Sequence, residues 1–201
     1  MIEEIFKHYN KVDYQNDNLS CVDLTDEIIT LKGKILDIGC GTLQKGYEKL
    51  SGLEIHAVDI NKNAIEQAKI KAIEMYPDLK IHFKRGYMEN LPYSNNSFDG
   101  VFTNCAINHS LDKQKVFNEI YRVLKNGGNL IIADAFSEEE LPEHIRSDCS
   151  LVAGCFGGAE PIENYLYYLK TADFNKISCR INKKYIKNGF NFLSATIFAF
   201  K

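Results

Sequence analysis

The 201-residue sequence predicts an α/β domain built on a doubly wound, mostly parallel sheet. Three observations carry that expectation. Short apolar runs rich in branched residues alternate with stretches of helical periodicity. The first run ends in a pair of glycines, Gly39 and Gly41, and the second ends in an acid, Asp59. The last two runs are separated only by "KNG" (187–189), the chemistry of a tight hairpin.

The elements read in order. Residues 1–30 look helical, with Ile2, Ile5 and Phe6 and then Leu24, Ile28 and Ile29 at helix spacing around the polar "NKVDYQNDN". Five apolar runs follow: "KILDIG" (34–39), "LEIHAVDI" (53–60), "KIHFKRG" (80–86), "FDGVFTN" (98–104) and "GNLIIADAF" (128–136). Such runs, joined by helices, suit a parallel sheet buried on both faces. Asn61 can cap a helix that carries Ile65, Ala68, Ala72 and Ile73 on one face. A second helix shows Val116, Phe117, Ile120, Val123 and Leu124, with "NGG" (126–128) as its stop. A third shows Ile162, Tyr165, Leu166 and Leu169. Two strands, "KISCRINKKYI" (176–186) and "NFLSATIFAFK" (191–201), complete the chain as an antiparallel hairpin at the sheet edge. The sum is a Rossmann-like, seven-stranded sheet in a single domain. Residues 1–30 serve as a helical lid, 34–136 as the nucleoside-binding core, and 137–201 as substrate-side helices and edge strands.

Composition narrows the function. With 45% hydrophobic and 25% charged residues the chain is not disordered. A formal charge of −3 and the lack of a long basic run disfavour a nucleic-acid partner. The start, "MIEEIFKHYN", has no signal-peptide pattern, and "FLSATIFAF" is too short and polar to span a membrane, so a cytoplasmic protein is expected. The six cysteines (21, 40, 105, 149, 155, 179) form no C-x-x-C pair and no zinc-finger spacing, so they read as reduced thiols and no metal site is assigned.

The chemistry starts at "LDIGCGTLQKG" (36–46), which joins the first strand to the first helix. Glycines 39 and 41 let backbone and ligand approach closely. Asp59, twenty residues after Gly39, can take both hydroxyls of a ribose. A dinucleotide fingerprint wants a third glycine where Gln44 stands, and a phosphate-binding G-K-[ST] is absent. S-adenosylmethionine has no pyrophosphate to cradle, so it does not demand that glycine. Asp37 can order the loop and face the ligand's positive charge.

From Lys34 to Phe136 the sequence resembles the class I S-adenosylmethionine-dependent methyltransferases. The blocks "LDIGCGT", "AVDI", "GYMENLPYSNNSFDGV" and "EIYRVLKNGGNLIIAD" occur in the family's order. The resemblance implies that S-adenosyl-L-methionine is held by Asp37, Gly39, Cys40, Gly41, Asp59, Ile60 and Asn104, with Tyr87 and Met88 bordering the adenine, Glu89 the nearest available acid, and Cys105 facing the methionine half near the reactive methyl. Leu43 departs from the family, where glycine is frequent, and Tyr87 stands where many members have aspartate.

The arsenite methyltransferase branch resembles the chain more closely, through "GYMENLP", "TNCAINHSLDKQKVFNEIYRVLKNGG" and "LVAGCFGGAEPIENYLYYLKTADF" (151–174). That likeness implies that Cys105 and Cys155 bind trivalent arsenic. Further N-terminal cysteines of that branch have no match here beyond the unaligned Cys21. Soft thiolates select soft centres, so the chemistry is coherent. His109 is a candidate base or orienting group. The expected partner is a small molecule, arsenite among the candidates. The competing readings are a methyltransferase for an organic acceptor and a non-catalytic cofactor-binding module. Cys40 and Cys179 read as packing residues, and Cys149 as a candidate third thiol.

Overall fold

The apolar run Ile35–Ile38 is buried on both of its faces, as a central parallel strand requires. The computed structural model describes residues 22–201. The greater part of the expected lid, residues 1–21, therefore lies outside the described residues. Seven strands form one sheet: β1 (Lys34–Ile38), β2 (Glu54–Asp59), β3 (Lys80–Arg85), β4 (Phe98–Asn104), β5 (Leu124–Ser137), β6 (Asn175–Lys187) and β7 (Phe190–Phe200). Their order across the sheet is β3-β2-β1-β4-β5-β7-β6. The first five run parallel, and β7 pairs antiparallel with both β5 and β6.

The helices are α1 (Thr25–Ile28), α2 (Lys62–Met75), α3 (Lys113–Val123), α4 (Glu143–Arg146), α5 (Cys149–Ala153) and α6 (Ile162–Thr171). Asn61 caps α2, its side chain accepting from the Asn63 and Ala64 amides. Asp112 caps α3 by accepting from the Lys115 amide at 3.0 Å. Alternation along the strands feeds two cores. Leu36, Val101, Leu130 and Ile132 pack with Phe117, Ile120 and Tyr165 of α3 and α6 on one face. Ile35, Phe102, Ile131 and Ala133 pack with Leu24, Ile28 and Ala68 on the other. Side chains that alternate across a strand thus bind one layer of helices to each face.

Several expectations need correction. Ile73 is 75% exposed, so the apolar face of α2 ends before it. "NGG" does not stop α3, which ends at Val123, where β5 begins directly. Gly127, with φ +78°, bends the irregular start of β5, where the register against β4 also shifts between Phe98 and Gly100. Cys179 is exposed on β6, not in the core. β6 lies at the sheet edge, and Lys176, Lys183, Lys184 and Lys187 along it suit an edge that must not pair with other chains. The hairpin turn places Asn188 at φ +52° and Gly189 at φ +82°, which is why that dipeptide stands there.

Candidate active site

β1 has β2 on one side and β4 on the other, so chain order reverses at β1 and a crevice opens beyond the carboxyl ends of β1 and β4. The loop after β1 enters it. Gly39 has φ +70°, and a Cβ there would fall 2.3 Å from the Ala106 Cβ. Gly41 has φ +49°, and a Cβ there would meet nothing within 4 Å among the described residues, so they leave its face open. Leu43 also adopts the left-handed region, φ +65°, which explains why glycine suits this position. Its side chain is buried in the core, and that burial offsets the strain.

The loop and the acid are joined directly. The Gly41 amide donates to Asp59 Oδ2 at 2.9 Å, and the Asn61 amide to Oδ1 at 2.8 Å. Each oxygen keeps a lone pair for a further donor. Burial raises the Asp59 carboxyl above its usual range, while these amides oppose the rise. Asp37 is buried and accepts the Tyr47 hydroxyl; burial pushes its carboxyl up to about 7. Cys40 is buried too, and burial pushes its thiol up, so the backbone is what it offers a ligand.

On the β4 side, Asn104 Nδ2 donates to Gln44 Oε1 at 2.6 Å and to the Val22 carbonyl at 2.7 Å. Asn104 Oδ1 and Gln44 Nε2 are buried without a partner among the described residues. Unmatched polar atoms beside an open glycine face suit a ligand with a polar amino-acid end. Around the expected adenine, Ile60 is half-buried and its carbonyl accepts from Arg85 Nε, Tyr87 is exposed, and Met88 packs partly against the core. Glu89 accepts the Ser110 hydroxyl. These residues fit S-adenosyl-L-methionine: a glycine backbone open to a ligand, a carboxylate with lone pairs left for hydroxyl donors, and Gln44 where a pyrophosphate-binding loop would have glycine.

The thiol side is compact. The Cys155 thiol donates to the Cys105 carbonyl at 3.1 Å and lies 3.1 Å from His109 Nε2. His109 Nδ1 lies 3.1 Å from the Val152 carbonyl, which can only accept. Nδ1 therefore carries a proton, and Nε2 is the ring nitrogen that faces the Cys155 sulfur. Cys105 and Cys155 both hold left-handed backbone, φ +55° and +62°, a strained setting for non-glycine residues. The fold thus brings residues 105, 109 and 155 together. One reading is corrected here: Cys105 is disulfide-bonded, whereas Cys40, Cys149, Cys155 and Cys179 form no disulfide.

Sequence reasoning missed the support beneath this cluster. Asn108 Nδ2 donates to Asp134 Oδ1 at 2.8 Å and to the Ala135 carbonyl, while its Oδ1 accepts the Tyr165 hydroxyl at 2.7 Å. Gly158 lies so close that a Cβ would fall 1.8 Å from the Asn108 carbonyl oxygen. The one signal was "GG" after Cys155, which allows that approach. Tyr185 is near enough for Asp134 and Cys155 to add to burial in raising its hydroxyl.

Asp134 makes a prediction about pH. It is fully buried, its Oδ2 has no partner among the described residues, and burial pushes its carboxyl up to about 7. Its folded value lies above the unfolded value of 3.8, so the folded state holds a proton that the unfolded chain has lost. Stability from this group is full below pH 4 and is lost as pH rises toward 7, by up to about 1.4 kcal/mol per pH unit. Asp37 adds a slope of the same sign. Denaturant titrations between pH 4 and 8 should show Asp134→Asn flattening the decline; an unchanged slope would contradict the assignment.

The matched family model is described as a methyltransferase domain and covers residues 29–177. An arsenite methyltransferase of Homo sapiens is 38% identical over 138 residues, 62% of this chain and 36% of that protein. An arsenite methyltransferase of Aquipseudomonas alcaligenes is 32% identical, over 63% of this chain and 39% of its own length. The chain thus spans under half the length of these curated relatives. An O-methyltransferase of Penicillium expansum is 33% identical over 112 residues, so the likeness is not confined to one acceptor. Among solved structures, an arsenic (III) S-adenosylmethionine methyltransferase from Chlamydomonas reinhardtii superposes with a TM-score of 0.72 at 23% identity. It covers 98% of this chain and 73% of that one, which shows the shared fold. With a methyltransferase model matched over most of its length, the chain belongs to the S-adenosylmethionine-dependent methyltransferases and stands near their arsenite branch.

Proposed function

We propose that this domain transfers a methyl group from S-adenosyl-L-methionine to a small thiophilic acceptor, with trivalent arsenic the substrate that suits the site best. The observation that carries this is the Cys155 thiol, held at 3.1 Å from both the Cys105 carbonyl and His109 Nε2. The arsenite methyltransferases among the relatives support the same acceptor. Cys155 is the primary ligand. Cys105 adds a second sulfur once its disulfide is reduced.

S-adenosyl-L-methionine supplies an electrophilic methyl on a sulfonium. The chain's residues do the rest. Asp59 and the open Gly41 backbone hold the ribose, and Asn104 and Gln44 meet the amino-acid end. As sulfur bonds to arsenic, the Cys155 proton turns from the Cys105 carbonyl to His109 Nε2, which returns it to the displaced hydroxide, which leaves as water. The thiolate then fixes the arsenic with its lone pair free, so transfer depends on proximity and alignment rather than on acid–base work.

The test is to incubate the protein with S-adenosylmethionine, arsenite and a thiol reductant and to look for methylated arsenic. Product supports the reading; no product, with binding of S-adenosylmethionine intact, would make an organic acceptor the leading alternative. The cofactor half has its own test. Asp59→Ala should weaken S-adenosylmethionine binding by about 1.5–3 kcal/mol, roughly 10- to 150-fold in Kd. Unchanged affinity by calorimetry would count against the ribose assignment.

A further inference from the structure

Away from the crevice, two histidines and a glutamate converge on strands β2 and β3. His56 and His82 are direct partners in the parallel register, and their rings stack at 4.7 Å between centroids, inclined by 28°. Glu54 lies two residues before His56, so both side chains leave the same face of β2. One ligand atom from each of the three lies within 4.8 Å of the others. His56 is walled by the rings of Tyr93 and Phe98, which limit its rotation. Its Nε2 lies 3.0 Å from Glu54 Oε1, while its Nδ1 is buried without a partner among the described residues. A ring nitrogen left unmatched beside a second imidazole and a carboxylate needs an explanation.

We propose that Glu54, His56 and His82 form a binding site for a divalent transition-metal ion. Imidazole nitrogen suits zinc, nickel, copper and cobalt, and a two-histidine, one-carboxylate set leaves a position for water. Metal–nitrogen bonds of about 2.0–2.1 Å require the ligand atoms to close to roughly 3.5 Å. His82 is exposed and free to make that movement. Lys34 Nζ, 3.1 Å from Glu54 Oε1, has to yield as the ion enters, and its partly exposed side chain can turn to solvent. The site lies about 10 Å along β2 from Asp59, at about 3.3 Å per residue. It is therefore distinct from the crevice. A bound ion would tie β3, one of the two edge strands of the sheet, to β2.

The protein's cysteines are a competing destination, and cobalt(II) distinguishes them. Thiolate ligation adds an intense near-ultraviolet charge-transfer band; nitrogen and oxygen ligation gives only weaker visible bands. Chelator-stripped full-length protein should take up one equivalent of cobalt(II) without the thiolate band and should unfold at a higher temperature when loaded. His82→Ala and Glu54→Gln, both at solvent-accessible positions, should each weaken uptake by at least about tenfold and abolish the thermal shift. The proposal is overturned if wild type takes up no cobalt(II) free of the thiolate band, or if either variant binds as tightly as wild type.

Discussion

Gly39→Val should destabilise the domain by about 3–5 kcal/mol and leave no measurable binding of S-adenosylmethionine. Two costs combine. At φ +70° a side chain with a Cβ is strained by about 1–2 kcal/mol, and a β-branched one by more. The added Cβ would also lie 2.3 Å from the Ala106 Cβ, where real carbons do not approach. Neither atom is the end of a flexible chain, so backbone must move. The two segments forced apart are the glycine loop and the turn that carries Cys105, the two walls of the crevice. Urea unfolding should show a lower midpoint with an unchanged slope. Ala106→Gly in the same background should recover part of the loss by removing the collision while leaving the φ strain. A single variant within about 1 kcal/mol of wild type would contradict the close packing of the two walls.

Cys155→Ser should reduce methyl transfer to arsenite by at least about 10²-fold while changing S-adenosylmethionine affinity by less than about twofold. A hydroxyl keeps the hydrogen bond to the Cys105 carbonyl but is a hard ligand for a soft centre. The separation matters because a merely structural cysteine would lower both together. His109→Gln should lower turnover by about 10²-fold, the scale of a positioned proton acceptor, with cofactor affinity again preserved. Its amide can still meet the Val152 carbonyl but cannot take the thiol proton. Equal activity in wild type and Cys155→Ser would remove the thiol from the mechanism.

Much of this was legible in the residues. Branched apolar runs marked the parallel strands because both faces of the sheet are buried, and Asn188-Gly189 marked the hairpin because both residues need positive φ. Gly39, Gly41 and Asp59 were legible as a loop and its acid because they end two adjacent parallel strands, although the helix expected between those strands is only a 3-10 turn, Tyr47–Leu50. The convergence of Cys105 with Cys155, fifty residues apart, was suggested only by family likeness, since no local pattern encodes a long-range contact. The Asp134–Asn108–Tyr165 network had no signal at all: it joins β5, the turn after β4 and α6, and each member looks ordinary in its own segment. Ile73 and Cys179 failed for a related reason. Periodicity reports which residues share a face, but neighbouring elements decide how far along that face burial extends.

The central claim is that a thiophilic acceptor is bound through the Cys155 sulfur. X-ray absorption at the arsenic edge, on reduced protein loaded with arsenite, addresses it without requiring turnover. The account predicts sulfur neighbours at about 2.3 Å, close to the zinc–thiolate distance, lost or reduced in number in Cys155→Ser. Arsenic surrounded by oxygen alone, or a sulfur shell identical in wild type and Cys155→Ser, would contradict it.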